Sequence, residues 1–147
     1  MVSLDTNILV YAANIDAGDR YQAAKGFIAT AASASLALTD QSLIEFLNVS
    51  IRKKRQPFDE TAAIVRGWLA SFPLIMPPNT IVADTLELLS KHKLSVWDAR
   101  LLVTCDAASC EYLFSEDMQD GARYGGVTVI DPFKPRNAAI IEQVMSL

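Results

Sequence analysis

His92 is the only histidine, and Cys105 and Cys110 the only cysteines, in this 147-residue chain, too few to assemble a Cys/His zinc site. The two cysteines stand in or beside one predicted helix. Five residues apart they fall on different helical faces, so a disulfide would distort the backbone and both read as small core residues. Glycine and proline are scarce, six of each, and hydrophobic residues make up 51% against 20% charged, which excludes the disordered and low-complexity classes. No apolar run approaches the roughly 20 residues needed to cross a bilayer, so no membrane role is expected. Met1 to Asp5 lacks a basic region and reaches an acid too soon for a secretory signal, so the expected compartment is the cytoplasm. A basic excess is missing too. The net charge of −4 argues mildly against a nucleic-acid partner, less so where bound cations neutralise local acidity.

What is present is an alternation. Val2 to Leu4 is a short apolar strand, followed after Asp5-Thr6-Asn7 by a short helix over Ile8 to Ala13 and a longer one over Asp19 to Ala32. Ser35 to Thr39 reads as a strand, and Thr39-Asp40 caps a helix running to about Arg55, stopped by Gln56-Pro57. Phe58 to Phe72 forms a helix with Ile64, Val65, Trp68, Leu69 and Phe72 as its apolar stripe. Pro73 to Met76 is a strand or an extended link. Asn79 caps the next helix, to about Lys91, with Val82, Leu86 and Leu89 inward, and Ser95 opens another through Ala108. Glu111 to Ser115 is strand-like, a Gly-bearing loop follows, and Val127 to Ile130 and Arg136 to Met145 supply a last strand and helix. With no composition break, residues 1–147 read as one α/β domain with a mostly parallel sheet covered on both faces.

Sites in such sheets form beyond the carboxyl ends of the strands. Four acids, Asp5, Glu45, Asp98 and Asp117, sit at strand-to-helix junctions or first turns that the fold would bring to that edge. Each has a purely structural alternative. Asp5 could cap the first helix, although Thr6 or Asn7 could do that work instead. Glu45 shares a polar stripe with Gln41, Asn48 and Arg52 that, taken alone, reads as a solvated face. Asp98 fits a capping box, Ser95-Val96-Trp97-Asp98, as well as it fits a shared pocket. Asp117 lies in an acidic loop with Glu116 and Asp120, either of which could assist it.

The opening Leu4-Asp5-Thr6-Asn7-Ile8-Leu9 resembles that of PIN-domain nucleases, in particular the VapC-like toxins of toxin–antitoxin pairs. Glu45-Phe46 is similar to that family's second acid and Trp97-Asp98-Ala99 to its third. Ser115 to Gly121, followed by Val127 to Phe133, resembles its acidic loop and closing strand. The likeness spans nearly the whole chain, with all four acids in order, and lifts Glu45 and Asp98 above their structural alternatives. It implies a three-layer α/β/α sandwich, Mg²⁺- or Mn²⁺-dependent endoribonuclease activity, a small antitoxin that occludes the acidic groove, and a homodimer.

Two charges about 5 Å apart at an effective dielectric near 20 repel by roughly 3 kcal/mol, so clustered acids raise a pKa or take up a hard cation. The expected reaction is in-line attack of a metal-activated water on an RNA phosphodiester. Asp5 and Asp98 are the expected principal ligands, Glu45 and Asp117 complete the shell, and Thr6, Asn7 and Ser115 orient the carboxylates. Arg52-Lys53-Lys54-Arg55 could contact phosphates, but basic residues also favour a helix C-terminus, and that reading takes precedence. Two competing functions remain open here: hydrolysis of a small phosphoester, and a non-catalytic acidic dock for a basic peptide.

Overall fold

The computed structural model describes residues 1–31, 35–54 and 56–146. In chain order they form β1 (Val2–Leu4), α1 (Thr6–Ala12), α2 (Asp19–Thr30), β2 (Leu38–Thr39), α3 (Asp40–Lys53), α4 (Phe58–Ser71), β3 (Leu74–Ile75), α5 (Ile81–Lys91), α6 (Val96–Ala107), β4 (Tyr112–Phe114), β5 (Arg123–Tyr124), β6 (Val127–Ile130) and α7 (Ala138–Met145). One sheet has the order β1-β4-β6-β5, parallel except for β5. β2 and β3 form a parallel pair, and the run into β2 bridges to β1: Val2 N–H donates to Ser35 O and Ala37 N–H to Val2 O.

Alternate strand residues face opposite layers. Val2, Leu4, Phe114 and Ile130 pack with Ile8, Leu9, Phe46 and Trp68, while Leu113, Val127 and Val129 pack with Leu101, Leu102 and Cys105. Helices therefore cover both faces, and the expected three-layer α/β/α sandwich is the observed one. Each large apolar side chain withdrawn from water contributes on the order of 2 kcal/mol. That core holds the sheet edge at which the acids gather.

Several local expectations are corrected. The Gly-bearing loop contains β5, whose Tyr124 pairs with Val127 across Gly125–Gly126. Gly125 has φ +58°, and a Cβ there would lie 2.6 Å from the Asp106 carboxylate, which accepts the Gly126 N–H at 2.8 Å. On α5, Val82 and Leu86 are 72% and 64% exposed, and Thr85 and Leu88 supply the inward face. The apolar residues of that helix do gather on one side, opposite Asp84, Glu87 and Lys91, but the fold buries the flank of that stripe at Thr85 and Leu88 and leaves Val82 and Leu86 outward. Leu69 is likewise exposed on α4, and Thr80 rather than Asn79 holds the cap position of α5. Ala32 and Arg55, the expected ends of α2 and α3, lie outside the described residues.

The cysteines are buried and free, but they do not point apart. α6 ends in a Schellman turn: Cys110 N–H donates to Cys105 O at 2.9 Å, Ser109 N–H to Asp106 O at 2.9 Å, and Ser109 takes φ +59°. That turn reverses the chain and brings the two thiols into contact, and the Cys110 thiol together with burial pushes the Cys105 thiol up.

Candidate active site

Leu4 of β1 lies opposite Phe114 of β4, so Asp5 and Ser115 leave the sheet side by side, with Asp5 N–H donating to Phe114 O at 2.9 Å. Asp5 is only 8% exposed. Its Oδ1 accepts the Thr6 N–H at 2.7 Å and its Oδ2 accepts Ser115 Oγ at 2.7 Å. Asp5 is thus itself the cap of α1, which starts at Thr6, and the expectation that Thr6 or Asn7 makes it redundant is corrected. Those two side chains serve other acids. Thr6 Oγ1 donates to Glu45 Oε2 at 3.2 Å, and Asn7 Nδ2 donates to Asp117 Oδ2. Thr6, Asn7 and Ser115 therefore each hold a different carboxylate.

α3 is fixed at the same edge. Thr39 Oγ1 accepts the Ser42 N–H at 3.1 Å, and Ser42 Oγ reaches Leu4 O at 2.9 Å, joining the helix start to the end of β1. Glu45 follows within a turn. Its Oε1 accepts Gln41 Nε2 at 2.8 Å, and the same nitrogen donates to Trp97 O at 2.9 Å. The polar stripe is consequently not a solvated face at its start, where Gln41 is buried. On α6, Ser95 Oγ accepts the Asp98 N–H at 3.1 Å, but among the described residues no donor reaches the Asp98 carboxylate, so only half the capping box forms. Gln41 reads in the sequence only as a member of that stripe, and Arg100, which donates to Gln41 Oε1 at 2.9 Å, carries no sequence signal. The signal for Gln41 was an i,i+4 polar pair on α3, which looks alike on buried and exposed faces.

The acidic loop sorts by its partners. Glu116 accepts from Tyr11 Oη and from Arg20 Nε at 3.1 Å, and the Arg20 guanidinium lies 5.0 Å from the Phe133 ring centre. Asp120 accepts the Asp131 N–H and Asn137 Nδ2, each at 2.8 Å, and pairs with Arg136. Both acids are engaged in holding the loop. Asp117 instead meets Asn7, and its N–H donates to the Ser115 Oγ that also holds Asp5. Arg52 and Lys53 occupy the last turn of α3 with Lys54 as a left-handed cap, φ +48°. They lie seven to nine residues past Glu45, roughly 10–14 Å along the axis at about 1.5 Å per residue, which fits the helix-terminus reading.

Burial pushes the Asp5 carboxyl up to about 6; its bonds from Ser115 and Thr6 pull it down, and the charges of Asp98 and Asp117 raise it again. Asp117 is also raised, by burial first and then by Glu116, with Asp98 adding to it. Among the described residues no lysine or arginine pairs with Asp5, Glu45, Asp98 or Asp117. Nor do any three acid, histidine or cysteine side chains among them close into a ready-made metal cage. The donor set nevertheless suits Mg²⁺ or Mn²⁺: all four acids offer hard oxygens, Asp5 is buried without a counter-ion among the described residues, and the more open Glu45, Asp98 and Asp117 leave room for the waters such an ion keeps.

The PIN domain family profile matches residues 2–121 of the chain. No curated protein matches it. Among solved structures it is similar to Mycobacterium tuberculosis VapC20, described as a sarcin-ricin loop cleaving toxin, at 18% identity over 78% of this chain and 88% of that one, with a TM-score of 0.63. A toxin–antitoxin complex from Klebsiella pneumoniae matches at 21% identity over 91% and 99% of the two chains, TM-score 0.66. FitAcB from Neisseria gonorrhoeae matches at 12% identity over 90% and 99%, TM-score 0.56. At these identities the likeness is one of fold.

Proposed function

The chain belongs to the PIN-domain family, and from that membership we propose that it is a Mg²⁺- or Mn²⁺-dependent endoribonuclease, the toxin of a type II toxin–antitoxin pair. The observation that carries the reading is the bond between Ser115 and Asp5 at the shared end of β1 and β4, with Asp98 and Asp117 near enough to raise Asp5 and, among the described residues, no lysine or arginine paired with them. Asp5 and Asp98 would be the principal metal ligands, with Glu45 and Asp117 completing the set directly or through water. A divalent metal held there supplies Lewis-acid polarisation of the phosphate and a water acidic enough to attack it. The residues do the rest. Ser115, the Thr6 N–H and Asn7 fix the directions of Asp5 and Asp117, and Glu45, gripped at both oxygens, is poised to orient the nucleophile.

The partners in this reading are an RNA substrate, a small antitoxin that covers the acidic edge, and a second copy of the chain, all in the cytoplasm. A toxin–antitoxin complex among the similar solved structures supports the antitoxin. The test sets single-stranded RNA beside a small phosphomonoester, with Mn²⁺ or chelator, for wild type and Asp5→Asn. The expected result is Mn²⁺-dependent internal cleavage of RNA alone, lost in Asp5→Asn. Turnover of the monoester alone, or RNA cleavage that survives chelator, would overturn the proposal.

A further inference from the structure

The side-chain amide of Gln41 sits between two of the four acids. It is 7% exposed and makes three bonds. Nε2 donates to Glu45 Oε1 at 2.8 Å and to Trp97 O at 2.9 Å, while Oε1 accepts from Arg100 Nη1 at 2.9 Å. Arg100 is itself steadied by Asp40, with Nη2 at 3.3 Å from Oδ2. Trp97 immediately precedes Asp98, so a single amide links the acid of α3 to the backbone bearing the acid of α6.

The chemistry of the partners forces the amide's orientation. A guanidinium can only donate, so oxygen must face Arg100. A carboxylate and a backbone carbonyl can only accept, so nitrogen must face Glu45 and Trp97. Turned over, the amide would lose all three bonds and set like dipoles against one another. Glu45 meanwhile accepts one donor on each oxygen, from Gln41 and Thr6, which leaves a lone pair on each for a cation.

We propose that Gln41 is a positioning residue of the metal-binding edge: its amide fixes the Glu45 carboxylate relative to the backbone carrying Asp98, and Arg100 locks the amide the right way round. This rests on the metal-dependent reading above and adds the device that sets the spacing of two ligands from different helices. Groups that orient metal ligands typically govern affinity by ten- to a hundredfold.

The test measures Mn²⁺ affinity by calorimetry at alkaline pH, alongside thermal unfolding, for wild type, Gln41→Met, Gln41→Glu and Asp5→Asn. Gln41→Met removes the amide at equal length. Gln41→Glu still accepts from Arg100 but can no longer donate to Glu45 or Trp97. The expected result is a fall in Mn²⁺ affinity of about ten- to a hundredfold in both Gln41 variants, larger than any loss of melting temperature explains. If Gln41 serves only to seat Arg100, Gln41→Glu will bind Mn²⁺ like wild type, and the proposal is overturned. Should Gln41→Met not fold, Gln41→Glu decides alone. Normal binding in Gln41→Glu with loss in Asp5→Asn sinks this inference but spares the metal site. Absence of Mn²⁺ binding in wild type, or full binding in Asp5→Asn, sinks the underlying reading and this inference with it.

Discussion

Asp5 is held up at about 6 by burial and by the charges of Asp98 and Asp117, even though Ser115 and the Thr6 N–H favour its ionised form. In the unfolded chain the same carboxyl titrates near 3.8. Folding therefore meets no penalty from it below about 3.8, loses stability as pH rises from there to about 6, and bears the whole cost above that. A rise of roughly two units corresponds to about 3 kcal/mol as an upper bound. Asp5→Asn keeps an oxygen for Thr6, and Ser115 can turn its hydroxyl to accept from the new amide. The metal-free variant should thus melt several degrees above metal-free wild type at neutral pH, read by scanning calorimetry in chelator, yet gain nothing from Mn²⁺. A lower melting temperature would show that the charge at this position is not strained. In wild type the cation and the proton compete for Asp5, so Mn²⁺ affinity should weaken as pH falls through about 6; calorimetric titrations on either side of that pH check it.

Asp120 acts on connections between elements. Burial raises its carboxyl, but the Asp131 N–H, Arg136 and Asn137 together outweigh that and bring it down to about 2. Its contribution is present above the unfolded value of 3.8 and is lost as pH falls through about 2. Asp120→Ala should lower stability by about 2 kcal/mol, since it strips the acceptor from three donors between the end of β6 and the turn before α7. Denaturant midpoints test this; an unmoved midpoint would mean the three donors find water at no cost. At the end of α6, Ser109→Gly should add about 0.5–1 kcal/mol by relieving a left-handed backbone that glycine adopts freely, read the same way. Neither feature was legible in the sequence. Glu116, Asp117 and Asp120 are interchangeable by composition, and only Tyr11, Arg20, Arg136 and Asn7, distant in the chain, tell them apart. The junction acid Asp5 was legible because parallel strands must end together, and so was the two-faced sheet. The buried side of α5 was not, because the structure turns the flank at Thr85 and Leu88 inward and leaves the centre of its apolar stripe, Val82 and Leu86, exposed. The strand β5 was missed although Gly125–Gly126 is an ordinary hairpin signal.

At the scale of the molecule, some of the exposed apolar residues are grouped. Ile44 and Ile51 lie on α3, Val96 and Trp97 on the first turn of α6, and Ile44 and Trp97, both 63% exposed, line a common hollow of about 490 Å³ with Gln41, Glu45, Asn48 and Arg100. Grouped large apolar side chains of this kind mark interaction surfaces more often than single exposed ones do. Because Glu45 and Gln41 share this hollow, a second copy docking on Ile44 and Ile51 must leave its acidic rim open to RNA, and light scattering should then give a mass near twice the 16.1 kDa of one chain. Ile44→Glu combined with Ile51→Glu should yield a monomer of unchanged melting profile, since neither side chain belongs to the core. Each copy brings a net charge of −4, so added salt should tighten the dimer by screening repulsion while leaving the apolar contact intact. A dimer that survives both substitutions would shift the interface to another surface, such as Val82 and Leu86 of α5. A wild-type chain that stays monomeric at every concentration and salt would remove the homodimer from the proposed function altogether.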